Sequence, residues 1–273
     1  MRGVDGLRAF LEEDAPAGDV TSDVLIPPAT TSKAIVTSGG DGILAGAEEA
    51  AWLFTDGGLE VRFVKNDGDH VSAGDEVMVV EGPLREIMLR ERVSLNIMMF
   101  MSGTATETSK VLAACHAVNP HVSVAATRKT LPGLRGLQKK AVRLAGGESH
   151  RDTLSHHILV KDNHIQAVGG MDNALRALKD APSTIIEVEA ETEHDALSAA
   201  AAGVDVVLLD NMSPAEAGIC YRSIKESYPH VLVEVSGGIG PEDAPVYAKC
   251  ADRISLGYLT HSAPSLQFSL HLS

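Results

Sequence analysis

Cysteine is scarce in this chain: three residues in 273, Cys115, Cys220 and Cys250, far apart and with none in a C-x-x-C pair. That spacing argues against a disulfide framework and a cysteine zinc site, leaving reduced structural thiols. Long apolar runs are also missing. The longest candidate, Leu95 to Met101, is interrupted by Asn96 and followed by Ser102 and Gly103, well short of the roughly 18 residues that span a bilayer. The N-terminal stretch Met1 to Asp14 is charged and reads as a helix. It lacks a basic region followed by an apolar one, so no signal peptide is expected and a cytoplasmic location is the default. Positive charge is in deficit too, with 23 Lys and Arg against 37 Asp and Glu and a net charge of −14. Such a surface repels nucleic acid and anionic lipid, so neither is an expected partner.

One stretch runs against that balance. Between Thr127 and His164 lie eight Lys and Arg (Arg128, Lys129, Arg135, Lys139, Lys140, Arg143, Arg151, Lys161), three acids and four histidines. The Arg135 to Arg143 part reads as the solvated face of a helix. Arg128, Lys129, Arg151 and Lys161 fall at strand ends or in loops, where that explanation does not reach them.

The pattern changes near residue 108. Before it, short alternating segments (Lys33 to Thr37, Gly42 to Ala45, Leu59 to Val64, Glu76 to Glu81) are separated by glycine-rich turns. They precede a helix expected over Glu86 to Ser102 and a second over Glu107 to Ala117. The Asn66 to Asp75 turn is similar to that of lipoyl-like sandwich domains. After residue 108 the order is strand, loop, helix, repeated. Six apolar runs read as buried parallel strands: Val122 to Ala126, His157 to Val160, Thr184 to Val188, Val204 to Leu209, Leu232 to Val235 and Arg253 to Leu256. Helices are expected at Asp172 to Lys179, Glu193 to Ala202 and Pro214 to Ser227. The last opens on a Ser213 cap with Pro214 at its first position. Alternation of this length implies a parallel sheet covered by helices, either a barrel or an open doubly wound sheet.

Each of the six runs ends in residues suited to chemistry: Thr127-Arg128-Lys129, Lys161-Asp162-Asn163-His164, Glu189, Asp210-Asn211, Ser236-Gly237-Gly238-Ile239-Gly240 and Gly257. In an α/β barrel these ends converge on one face, where active sites form. The glycines after the last two strands would let backbone N–H groups approach a phosphate. Glu189 and Asp210, ending successive central strands, suit Mg²⁺ or ribose hydroxyls; a buried salt bridge is the plainer use. Arg128, His150 and Arg151 suit planar carboxylates, which arginine binds with two hydrogen bonds.

These segments closely resemble the quinolinate phosphoribosyltransferase family. The resemblance is carried by Gly18-Asp19-Val20-Thr21-Ser22, Glu91-Arg92-Val93-Ser94-Leu95-Asn96, Thr127-Arg128-Lys129-Thr130-Leu131-Pro132-Gly133, His150-Arg151, Lys161-Asp162-Asn163-His164-Ile165, Glu187-Val188-Glu189, Asp210-Asn211, Ser236-Gly237-Gly238-Ile239 and Gly257 with His261. They occur in family order over nearly the whole chain. The resemblance implies an N-terminal α/β sandwich domain (1–108) and an incomplete, TIM-like α/β barrel (109–262), with a tail (263–273) that packs back on the first. It implies a homodimer with shared active sites, higher assembly left open, in which Arg92 crosses to the partner's site. Arg128, His150, Arg151 and Lys161 match positions that bind the quinolinate carboxylates. Lys129, Glu189, Asp210, Ser236, Gly237 and Gly257 match positions near phosphoribosyl pyrophosphate, with Thr127, Gly238 and His261 close by. Lys129, Lys161, Glu189 and Asp210 are the catalytic candidates, and Glu189 and Asp210 the Mg²⁺ ligands. The implied activity is phosphoribosyl transfer to quinolinate with decarboxylation. The chain departs from the family pattern at Asp152, Thr153 and Gln267, and Asp152 adds a negative charge near the anion pocket.

Other readings weighed are a molybdenum-transport-associated paralogue using another acceptor, a Schiff-base lyase with Lys161 as nucleophile, a lipoyl-type carrier, which needs a modifiable lysine at a hairpin tip that Lys65 does not obviously occupy, and a metal site at His156, His157 and His164. Adjacent histidines on a strand face opposite ways, which disfavours the last.

Overall fold

The computed structural model describes residues 5–182 and 184–273. The expected N-terminal helix is present as α1 (Asp5–Asp14); its first four residues lie outside the described ones. The chain forms two compact units. One comprises residues 1–109, 131–146 and 263–273, the other 110–130 and 147–262. Segment 131–146, placed in the barrel on sequence grounds, thus belongs with the N-terminal unit.

In the N-terminal unit α1 is followed by α2 (Val20–Leu25), β1 (Thr31–Ser38), β2 (Gly42–Ile43), α3 (Ala47–Asp56), β3 (Glu60–Phe63), β4 (His70–Val71), β5 (Glu76–Pro83) and the long α4 (Leu84–His116). Helix α2 starts where Asp19 accepts from the Thr21 and Ser22 N–H groups, satisfying donors that a helix start leaves open. The antiparallel sheet runs β12-β1-β5-β3, with β12 (Phe268–Leu272) supplied by the C-terminal tail. The two helices expected over residues 86–117 are one continuous helix. Gly103 does not break it. It is there because the tail passes so close that a Cβ would lie 2.1 Å from the Pro264 carbonyl oxygen. Lys65, the residue a carrier would need at its tip, donates to the His70 carbonyl and pairs with Asp75.

The second unit holds six parallel strands: β6 (Ser123–Ala126), β7 (Ile158–Val160), β8 (Ile186–Ala190), β9 (Val206–Asp210), β10 (Leu232–Ser236) and β11 (Arg253–Leu256). Between β6 and β7 the chain forms α5 (Arg135–Leu144), which packs in the N-terminal unit. The later crossovers carry α6 (Asp162–Ala167), α7 (Met171–Ala177), α8 (Glu193–Ala201), α9 (Pro214–Ser227) and α10 (Ala244–Tyr247), and α11 (Tyr258–His261) follows β11. The strand order β6-β11-β10-β9-β8-β7 is that of a barrel cut between β6 and β7. At the cut, β6 forms an isolated parallel bridge from Ala125 to Glu148. The α/β class and incomplete barrel expected from the sequence are what forms.

Strand periodicity divides the residues of this sheet into two sets. Val160, Val188, Val207, Leu209, Val233, Val235, Ile254 and Leu256 pack against Ala196, Ala199, Ala217, Cys220 and Ile224 of the covering helices. Burying each large aliphatic there contributes about 1.5–3 kcal/mol. The intervening set, Leu159, Lys161, Glu187, Glu189, Leu208, Asp210, Glu234, Ser236, Arg253 and Ser255, faces the other way, and most of it is polar.

Candidate active site

A cavity of about 370 Å³ opens at the C-terminal ends of these strands, lined by the inward residues of β7, β9, β10 and β11 and by the segments after them. Of the residues singled out from sequence, it gathers Thr127, Arg128, Lys129, His150, Arg151, Lys161, Asp210, Ser236, Gly237 and Gly238. Glu189 is buried in β8 one position before its end, not beyond it as expected, and lines an adjoining cleft with Asp162, Glu191 and Asp195. It reaches Lys161, whose Nζ donates to Glu189 Oε2 at 2.6 Å. Gly257 and His261 sit against Lys129: a Cβ on Gly257 would lie 2.9 Å from His261 Nε2 and 3.0 Å from Lys129 Cδ. Arg92 belongs to the N-terminal unit, exposed on α4 with Glu91 at 3.5 Å.

Two guanidiniums dominate one side. Arg151 is buried, and both burial and the charge of Arg128 push it below its usual value, with Glu187 as a partial offset. Arg128 Nε is buried without a hydrogen-bond partner. Like charges and an open donor in a cavity call for an anion. In the same cavity lining, Gly237 (φ 97°) and Gly238 (φ 62°) follow β10 in the left-handed region. A Cβ on Gly237 would lie 2.4 Å from Asn211 Oδ1 and 2.5 Å from Asn211 N, so glycine is required twice over. Thr127 Oγ1 accepts from the Lys129 N–H at 3.0 Å, and Thr260 Oγ1 donates to the Lys129 carbonyl at 2.8 Å, which fixes the lysine backbone.

Asp210 is held above the usual carboxylate range by burial and by the charge of Glu189, against the pull of Lys161 and Lys129. A carboxyl raised in the folded state contributes stability at low pH that is lost as pH rises through its folded value. Asp210→Asn is therefore expected to melt higher than the parent at pH 7 in EDTA, the gap closing toward about pH 4. A lower melting temperature at pH 7 would contradict this.

Beneath the cavity lies a network that reading only the strand ends did not find. His150 Nε2 is 3.3 Å from both Glu187 Oε2 and Glu234 Oε1, and His157 Nε2 is 3.0 Å from Glu187 Oε2. Glu234 also accepts from Arg253 Nη1 at 3.0 Å and from Ser255 Oγ. The signal was present: Glu187 with Glu189, and Glu234 with Ser236, are spaced by two in strands of β-branched residues. Among the described residues, the three metal-ligating groups that come together are His150, His157 and Glu187, here bonded to one another. His156, His157 and His164 do not form such a group; His164 Nδ1 instead accepts from the Lys161 N–H at 2.9 Å, capping α6.

A polar cavity at the C-terminal mouth of a parallel α/β barrel, with Asp210, clustered cations and a glycine-rich turn after a late strand, defines an enzyme site for polyanionic substrates. The family models for quinolinate phosphoribosyl transferase match residues 19–102 (N-terminal domain) and 104–271 (C-terminal domain). A curated relative, the probable carboxylating nicotinate-nucleotide pyrophosphorylase of Methanothermobacter thermautotrophicus, is 39% identical over 98% of both chains. The Homo sapiens nicotinate-nucleotide pyrophosphorylase is 36% identical over 97% of this chain and 89% of its own. Among solved structures, NadC from Streptococcus pyogenes superposes with a TM-score of 0.92 at 35% identity, covering 98% of this chain and 95% of that one. The chain belongs to the quinolinate phosphoribosyl transferase family.

Proposed function

We propose that this chain transfers phosphoribose from phosphoribosyl pyrophosphate to quinolinate, releasing pyrophosphate and CO₂ and forming nicotinate mononucleotide for NAD biosynthesis. The observation that carries this is the pairing of Arg128 with buried Arg151 in a cavity that also holds Lys129, Lys161 and a glycine turn. It offers separate places for two carboxylates and for phosphates.

The acceptor's ring nitrogen already has a lone pair, so positioning and charge stabilisation carry the step. Arg128, Arg151, His150 and Lys161 hold the carboxylates and present the nitrogen to C1 of the ribose. As the C1–O bond to pyrophosphate breaks, its electron pair leaves with pyrophosphate, whose charge Lys129 offsets. Glu189 and Asp210 hold the ribose hydroxyls. Ser236, Gly237, Gly238 and Gly257, with His261, receive phosphate oxygens. The N–C1 bond leaves the ring nitrogen cationic. The bond to the 2-carboxylate then breaks, its electron pair passing into the ring as CO₂ departs, and a proton from solvent takes the vacant carbon.

Glu189 and Asp210 also fit Mg²⁺, because they supply hard oxygen donors and burial with Glu189 leaves Asp210 short of counter-charge. Bound there, the ion would help neutralise the leaving pyrophosphate. A homodimer in which Arg92 of one subunit enters the other's cavity accords with that side chain's exposure. A cytoplasmic setting suits soluble substrates of this kind; among the described residues no helix is long and apolar enough to cross a membrane. Lys161 Nζ is engaged by Glu189 Oε2 at 2.6 Å, whereas the Schiff-base reading needs that amine free to attack.

The test is a product assay with phosphoribosyl pyrophosphate, Mg²⁺ and either quinolinate or nicotinate. Mononucleotide and CO₂ should form with quinolinate alone. Turnover with nicotinate, or with neither, would overturn the assignment and turn attention to other planar anionic acceptors.

A further inference from the structure

The network under His150 has a use beyond packing. Two carboxylates, Glu187 and Glu234, are almost wholly buried and both approach the same ring nitrogen of His150. Burying a carboxylate is costly unless a charge or hydrogen bond answers it. Glu234 is answered by Arg253 and Ser255; among the described residues Glu187 has the two histidine rings as hydrogen-bonding side-chain partners, with the charges of Arg151 and Arg253 farther off. The groups around His150 are Glu187 from β8, Glu234 from β10, Arg253 from β11 acting on Glu234, the neighbouring Arg151, and His157 before β7 with ring centroids 5.4 Å apart. Burial pushes His157 below its usual value. His150, with Nε2 facing both carboxylates, is the ring placed to carry the compensating proton, and the residue also lines the cavity.

Resting on the acceptor site described above, we propose that Glu234 is a positioning residue for quinolinate specificity: with Glu187 it clamps His150 Nε2 and keeps the ring protonated, so the second ring N–H donates to a substrate carboxylate. A neutral histidine held at Nε2 could offer only an acceptor there; the imidazolium offers a donor and a charge. Burial alone would lower His150, but hydrogen bonds and charge from Glu187 and Glu234 raise it to about 9. The pocket then adds a charged His150 to the cations of Arg128, Arg151, Lys129 and Lys161. That arrangement discriminates against acceptors with one carboxylate, for which the added cation has no partner.

The test is Glu234→Gln, which keeps the shape and one acceptor oxygen and removes the charge. Arg253 retains Glu148 at 2.8 Å, so the fold should survive. Histidine NMR titration, assigned with His150→Gln, should show the His150 resonance titrating at least about one unit lower in the variant. In the variant at pH 8, KM for quinolinate should rise about tenfold, with kcat and KM for phosphoribosyl pyrophosphate changed less than about twofold. The double variant should be no worse than His150→Gln alone. An unshifted His150 titration, or additive losses in the double variant, would overturn the proposal. Should the parent fail to turn over quinolinate, the functional reading falls, while the titration still decides whether Glu234 sets the charge of His150.

Discussion

Arg128→Ala is expected to lower kcat/KM for quinolinate by about 10²–10³-fold, while leaving the melting temperature unchanged or slightly raised. The two halves of this result have one cause. Arg128 and Arg151 lie close enough for the charge of one to depress the other, and Arg128 keeps a buried donor without a partner. In the free protein the two charges repel, and an anion between them relieves that repulsion. Losing one member of a desolvated charge contact costs about 2–5 kcal/mol in the complex, while the free protein is relieved of a repulsion. Arg128→Lys should recover part of the loss at best, since an ammonium cannot make the forked contact to a carboxylate. Steady-state kinetics and a thermal melt on the same preparations decide it. A kcat/KM within threefold of the parent, or a large fall in melting temperature, would show that Arg128 serves the fold and not the ligand.

Gly103→Ala should destabilise the N-terminal unit by about 2–3 kcal/mol, despite the roughly 1 kcal/mol by which alanine is ordinarily the better helix former. The new methyl group would meet the Pro264 carbonyl oxygen at 2.1 Å and the Ser265 Cα at 2.8 Å. Both are backbone, so neither can rotate away. The tail must lift, and it carries two things the unit depends on: β12, which pairs with β1 from Ala34 to Ser38, and Phe268, which is buried in the sheet's core. A chemical or thermal melt monitored on the whole chain should show a fall of about 4–12 °C. An unchanged midpoint would mean that the tail does not bear on α4 in solution.

Much of the barrel was legible because its strands are short runs of β-branched residues punctuated by polar ones, and tertiary packing agrees with that local preference. Helix α9 and strand β11 have the bounds expected of them. Misplacements occurred where packing overrides local signals. Ser102-Gly103-Thr104 reads as a break, yet α4 runs through it because a neighbouring backbone occupies the space a side chain would need. Thr184 lies outside β8, which starts at Ile186 and continues through Glu189, so the carboxylate thought to follow the strand is part of it. The helix α5, read by its position as part of the barrel, packs instead beside Leu53 and Ile97, and Lys140 on it binds Glu48 and Glu49; no local pattern announces that. The ends of the strands drew attention to Arg128, Lys161 and Asp210, whereas Glu187 and Glu234 sit inside strands, where an acidic residue reads as an exception until its spacing of two from Glu189 and Ser236 is noticed.

The inward face of the barrel also sets where new chemistry could be introduced. Leu159 and Leu208 line the cavity alongside the charged groups, yet neither pairs with an ion. Both rest on sheet strands, Leu208 on β9 between two partners and Leu159 on the edge strand β7 paired with β8, so a changed side chain there alters cavity shape without moving a loop. An engineering library meant to admit bulkier or differently substituted pyridines would do better to vary these two positions than the connecting segments. The electrostatic frame that recognises the carboxylates could then be inherited intact by a catalyst with a different acceptor.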